Sequence, residues 1–142
     1  MTRRDHTAET MADLVFDTPL PAKPKRGLSP EWRLHASAAK LCYRLERSNP
    51  DFRFFSPGGE GARSPARAEI AKRMGQNRKG VPDMWMFLAQ SQSDVLMCVV
   101  EFKRPGGKLT PEQRDWFMWL PCDCHVVTDL EQFRSILADF IR

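Results

Sequence analysis

The sequence predicts an α/β fold, a mixed β-sheet flanked by helices in the order α-β-α-β-β-α-β-α. Three observations carry this reading. Residues 95–103 (VLMCVVEFK) are a near-continuous apolar run of strand length. Apolar residues recur at helical spacing in segments on both sides of it, at 34–45 and 133–140. Between residues 84–89 and 95–103 lies only a short polar stretch, Gln90 to Asp94, which joins two strands as a hairpin.

Residues 1–28 read as a tail. Pro19, Pro21 and Pro24 sit among Lys23, Lys25 and Arg26 without a periodic apolar face, so disorder is expected; a basic arm touching a polyanion is the alternative. The domain is expected to span residues 29–142. Ser29-Pro30-Glu31 opens its first helix with a cap, a proline at the first position and an acid at the positive helix end. Leu34, Ala38, Leu41, Cys42 and Leu45 carry that helix to about Ser48, and Asn49-Pro50-Asp51 stops it. Phe52 to Phe55 is a short aromatic strand, continued by the loop Ser56-Pro57-Gly58-Gly59-Glu60-Gly61.

A second helix is expected from the cap Ser64, with Pro65 in its first turn, to near Gly75. A polar loop, Gln76 to Gly80, then leads into Val81-Pro82-Asp83 and the strand Met84 to Ala89. The strand Val95 to Lys103 is expected to be buried on both faces. Pro105-Gly106-Gly107 ends it, and Thr110-Pro111-Glu112-Gln113 is a complete capping-box helix start. Phe117, Trp119 and Leu120 supply that helix with apolar positions. Cys124 to Val127 reads as a last short strand, and Thr128-Asp129 precede a final helix with the stripe Phe133, Ile136, Leu137 and Phe140.

A chain of 142 residues fits one domain with a modest core. No apolar run approaches the roughly 18–20 residues that cross a bilayer, and the first thirty residues contain no signal-peptide core. No membrane is therefore expected as a partner, and a cytoplasmic location is. Cys42, Cys98, Cys122 and Cys124 make no disulfide framework in a chain of this size. Cys122-x-Cys124-His125 lacks the second ligand pair of a structural zinc site, and the glycines at 58–61 lack the ending of a P-loop. The net charge of +4 permits a nucleic-acid partner without requiring one, so the placement of charge matters more.

The chemistry concentrates at the hairpin. If it is symmetric about Gln92, Asp83 faces Glu101 across the two strands, with Cβ atoms roughly 5 Å apart. Two opposed carboxylates repel unless they share a proton or a cation. Lys103 lies two residues beyond Glu101 and so on the same strand face. Acid, acid and ammonium side by side suit a hard cation such as Mg²⁺, which takes few carboxylates and keeps water for a phosphate substrate. Taken alone, a Glu-x-Lys pair at a strand end is more often a solvated ion pair. Here Glu101 ends a run too apolar for an edge.

Gly80-Val81-Pro82-Asp83, followed by Val100-Glu101-Phe102-Lys103-Arg104-Pro105-Gly106-Gly107-Lys108-Leu109-Thr110-Pro111-Glu112-Gln113, resembles the VRR-Nuc family of the PD-(D/E)xK nuclease superfamily. The resemblance covers roughly residues 29 to 141. It implies a restriction-endonuclease-like core and a DNA phosphodiesterase dependent on Mg²⁺ or Mn²⁺. Asp83 and Glu101 match the metal-binding carboxylates, the Phe102 carbonyl a further metal ligand, and Lys103 the catalytic lysine. Glu31 matches an acid on the first helix that helps the metal site, and Gln113 the glutamine closing the last motif. Standalone members of this family look phage-derived, which implies a role in phage DNA replication or recombination in the host cytoplasm. The loop Ser56-Pro57-Gly58-Gly59 departs from the Asn-Gly segment that the resemblance implies for substrate contact.

Glu31 is also explained by the helix dipole, and Gln113 by its capping box; a contact of Gln113 to substrate or to Lys103 is the further expectation. His35, one turn beyond Glu31, could reach the same site, although a lone histidine is more often structural. Arg63, Arg67, Arg73, Arg78 and Lys79 precede Asp83, and Arg104 and Lys108 follow Lys103. These are the expected DNA-backbone contacts. Nothing reads bases, so structure-selective cleavage of branched or flapped DNA is expected, with a homodimer as one arrangement that engages two strands. The alternative is a non-catalytic or partner-dependent nucleic-acid-binding module of the same fold. A small structural protein is a third reading.

Overall fold

The computed structural model of the chain describes residues 29–57, 65–75 and 78–142. The tail expected at 1–28, the cap Ser64 and the basic candidate Arg63 lie outside the described residues. The element order is the expected one: α1 (Pro30–Ser48), β1 (Phe52–Phe55), α2 (Pro65–Arg73), β2 (Met84–Ala89), β3 (Val95–Phe102), α3 (Pro111–Trp119), β4 (Asp123–Val127) and α4 (Leu130–Phe140).

Local chemistry starts the helices where the sequence places them. The Ser29 hydroxyl accepts from the Trp32 amide at 3.1 Å, and Asp129 Oδ1 accepts from the Gln132 amide at 2.8 Å, each satisfying an orphan donor of a first turn. Thr110 and Gln113 form the reciprocal capping box of α3.

The four strands form one sheet in the order β1-β2-β3-β4. The first two pairings are antiparallel and the last is parallel. The parallel pair needs a crossover, which α3 supplies between β3 and β4. Alternation along the strands splits the sheet into two faces. One face sends Phe52, Met84, Met86, Cys98, Val100, Phe102 and Val127 into the main core, packed by Ala38, Leu41, Cys42 and Leu45 of α1 and by Phe133 and Leu137 of α4. The other face carries Phe55 stacked between Trp85 and Phe87, and α3 lays Trp116 edge-on against Trp85 with ring centroids 6.2 Å apart.

Two expectations are corrected here. Strand β3 is buried on both faces only from Cys98 onward; Val95 and Leu96 are exposed. The β4 ladder begins at Cys98, so nothing pairs with the first part of β3 on that side. In α3 no residue is fully buried, and Trp119 is exposed rather than part of the core. That helix seats on the sheet through Trp116, while Leu120, just past its end, is buried.

Candidate functional site

The β2–β3 ladder has the register expected from a hairpin centred on Gln92: Met84 pairs with Val100 and Ala89 with Val95. One step beyond Met84, Asp83 therefore arrives beside Glu101 on the face opposite the main core. Asp83 is held there from both sides. Its Oδ2 accepts the Phe102 amide at 2.9 Å, and Pro82 before it is fully buried.

Glu101 is 3% exposed, one of two buried charged residues among those described. Its two oxygens meet different surroundings. Oε1 accepts the Gln113 side-chain amide at 2.6 Å and lies 3.6 Å from Lys103 Nζ. Oε2 is buried and meets no donor. An unsatisfied carboxylate oxygen in that setting costs free energy unless a proton or a cation reaches it. Burial raises the Glu101 carboxyl above its ordinary range, the Asp83 charge adds to the rise, and Lys103 opposes it. Burial also raises Asp83, against the Phe102 amide and the charges of His35 and Lys103.

The pair opens into a cleft of ≈ 390 Å³ whose walls include Glu31, Trp32, His35, Ser56, Asp83, Glu101 and Phe102. The first turns of α1 supply Glu31 and His35. Glu31 Oε1 accepts the Arg104 amide at 3.3 Å, which ties the start of α1 to the residue after Lys103. His35 stacks on Phe102 with centroids 4.9 Å apart, and its Nε2 shares a hydrogen bond with Ser56 Oγ at 2.7 Å.

The structure thus brings Asp83, Glu101, Lys103, Gln113 and Glu31 to one end of the sheet. The separate contact of Gln113 goes to Glu101, not to Lys103. Ser56 was visible in the sequence only as part of an atypical loop. The signal that finds it is the β1–β2 ladder, in which Phe55 pairs with Trp85, so the next residue lies beside the approach to Asp83.

Several of the described basic candidates have partners within the chain. Arg73 pairs with Glu69 on the surface of α2. Arg78 lies over the Trp116 ring at 5.3 Å, and Lys79 pairs with Glu112 at 3.0 Å. Arg67, Arg104 and Lys108 are exposed.

Among the described residues, no three His, Cys, Asp or Glu side chains gather as a ready-made metal cage. The Asp83–Glu101 pair fits a hard cation on other grounds. It is an all-oxygen donor pair, Oε2 of Glu101 is buried and meets no donor, and an open cleft adjoins it with room for water.

A family model, the VRR-NUC domain, matches residues 54–122. That span takes in Asp83, Glu101, Lys103 and Gln113 and stops short of Glu31 and His35 on α1. No curated protein and no solved structure matches the chain.

Proposed function

Because the chain carries a VRR-NUC domain, a nuclease-type nucleic-acid-processing module, we propose that it is a divalent-metal-dependent endonuclease that hydrolyses DNA phosphodiester bonds and selects DNA structure rather than sequence. The observation that carries the reading is the buried Glu101 carboxylate, opposed to Asp83 and left with one oxygen that meets no donor.

Asp83 and Glu101 would hold Mg²⁺ or Mn²⁺, with the Phe102 carbonyl as a neighbouring donor and Glu31 acting from the same cleft. The cation supplies Lewis acidity toward a phosphate oxygen and eases deprotonation of water. Lys103, 13% exposed and close to Glu101, stabilises negative charge that develops on the phosphate. Gln113 holds the Glu101 carboxylate by Oε1 and leaves Oε2 without a donor. His35 and Ser56 line the same cleft as Asp83 and can hold the substrate by hydrogen bonds. Arg104 and Lys108 are exposed just past Lys103, where a DNA backbone would pass.

No described helix is long and apolar enough to cross a membrane. A cytoplasmic location, the phage's host included, accords with a DNA substrate.

Purified protein incubated with linear, flapped and branched DNA tests the reading. Cleavage is expected with Mg²⁺ or Mn²⁺, absent with EDTA, and reduced at least about 100-fold in Asp83→Asn and Lys103→Met. A folded wild-type chain that cuts none of these substrates with either metal contradicts it.

A further inference from the structure

A second cleft, ≈ 490 Å³, lies between the loop before Asp83 and helix α3, lined by Arg78, Lys79, Glu112, Asp115, Trp116 and Trp119. Its charges cancel, two cations against two carboxylates, and Lys79 is already paired with Glu112 at 3.0 Å. A cleft without excess positive charge is a poor track for a phosphate backbone. What it offers instead is aromatic surface. Trp116 and Trp119 meet edge-on with centroids 5.8 Å apart. The Arg78 guanidinium covers one face of Trp116 at 5.3 Å, while Trp119 is 73% exposed. An indole platform bordered by carboxylate acceptors and cationic donors complements a flat π-system whose edge carries N–H and carbonyl groups.

We propose that this cleft receives an unpaired nucleobase of the DNA substrate, stacked on Trp119 with its polar edge toward Asp115 and Glu112. The inference rests on the nuclease reading and adds a substrate class to it, DNA with a single-stranded nucleotide at the cleavage point. Helix α3 links the two places. Gln113 reaches Glu101 at 2.6 Å, and Trp116, about one helical turn further on, contacts Trp85, two residues past Asp83, with centroids 6.2 Å apart. A base seated in the cleft thus belongs to a nucleotide neighbouring the phosphate at the Asp83–Glu101 pair. Stacking of this kind tolerates any base and rejects a paired one, because pairing keeps the base in the duplex stack.

The test is equilibrium binding of the full chain, without divalent metal, to two flapped DNAs that differ at the first unpaired nucleotide. One carries guanine there, the other an abasic tetrahydrofuran. Wild type is expected to favour the base by about 10-fold. That ratio is expected to fall to near one in Trp119→Ala and to survive in large part in Trp119→Phe, which keeps an aromatic face. Equal affinity of wild type for both DNAs overturns the proposal, and so does an unchanged ratio in Trp119→Ala. Conversion of a dimer to a monomer by Trp119→Ala, with the ratio intact, overturns it as well and assigns the face to a second copy of the chain. Cleavage plays no part in this measurement, so a failure of the nuclease reading leaves the ratio untouched and is recognised separately.

Discussion

The Gln113 side chain donates its amide to Glu101 Oε1 at 2.6 Å while its own carbonyl oxygen accepts the Thr110 amide at 2.8 Å. One residue thus caps α3 and orients the buried carboxylate on β3. The start of the crossover helix and the candidate metal ligand are fixed relative to each other by a single amide.

Gln113→Glu separates the two duties. The carboxylate can still accept from Thr110, but the donor to Glu101 is replaced by a like charge. Cleavage or metal affinity is expected to fall about 10- to 100-fold, as for other partners that orient a metal ligand. Gln113→Ala removes the cap contact too, and its further loss of about 1 kcal/mol should appear in thermal unfolding. A Gln113→Glu variant that cleaves like wild type contradicts the positioning role.

The raised Glu101 carboxyl predicts the pH dependence of the metal-free protein. Folding moves it from 4.5 to about 8, so between these values the folded state binds more protons than the unfolded state. Its contribution is fully present below 4.5, and stability falls as pH rises through about 8. Burial raises Asp83 as well, which acts in the same direction. In Glu101→Gln the decline should flatten, leaving the variant more stable than wild type at pH 8 yet inactive. Thermal unfolding from pH 5 to pH 8 in EDTA checks this. A wild-type midpoint that rises over that window contradicts it.

Two glycines of similar conformation should respond unequally to alanine. Gly80 (φ +82°) and Gly106 (φ +80°) both adopt the left-handed region. A Cβ on Gly80 would come within 2.6 Å of the Glu112 backbone, whereas one on Gly106 meets nothing within 4 Å. Gly106→Ala should cost about 1 kcal/mol of backbone strain. Gly80→Ala should cost more and also displace the Val81-Pro82-Asp83 approach, lowering activity. Equal losses in denaturant unfolding contradict the close contact between this loop and α3.

The opposition of Asp83 and Glu101 is legible in the sequence because a short polar turn between two apolar strand runs has one symmetric register, the one observed. The helix starts are legible for a similar reason: Ser29, Thr110 and Asp129 cap by contacts within three residues. Contacts that depend on how a helix docks are not legible. The capping box explains Gln113 fully, so nothing local signals its reach to Glu101. The exposed start of β3 reflects how far β4 extends alongside it, and Trp119 is exposed because α3 docks through Trp116. The partners of the basic residues are not legible either: Lys79 pairs with Glu112 and Arg78 lies on Trp116.

The most direct measurement of the central claim is calorimetric titration of Mn²⁺ into the wild-type chain, Asp83→Ala and Glu101→Ala at one pH. Saturable binding to wild type, lost in each single variant, is the result the account predicts, because one ion needs oxygens from both residues. Binding by either variant as tight as by wild type would mean that the two carboxylates do not grip a common ion.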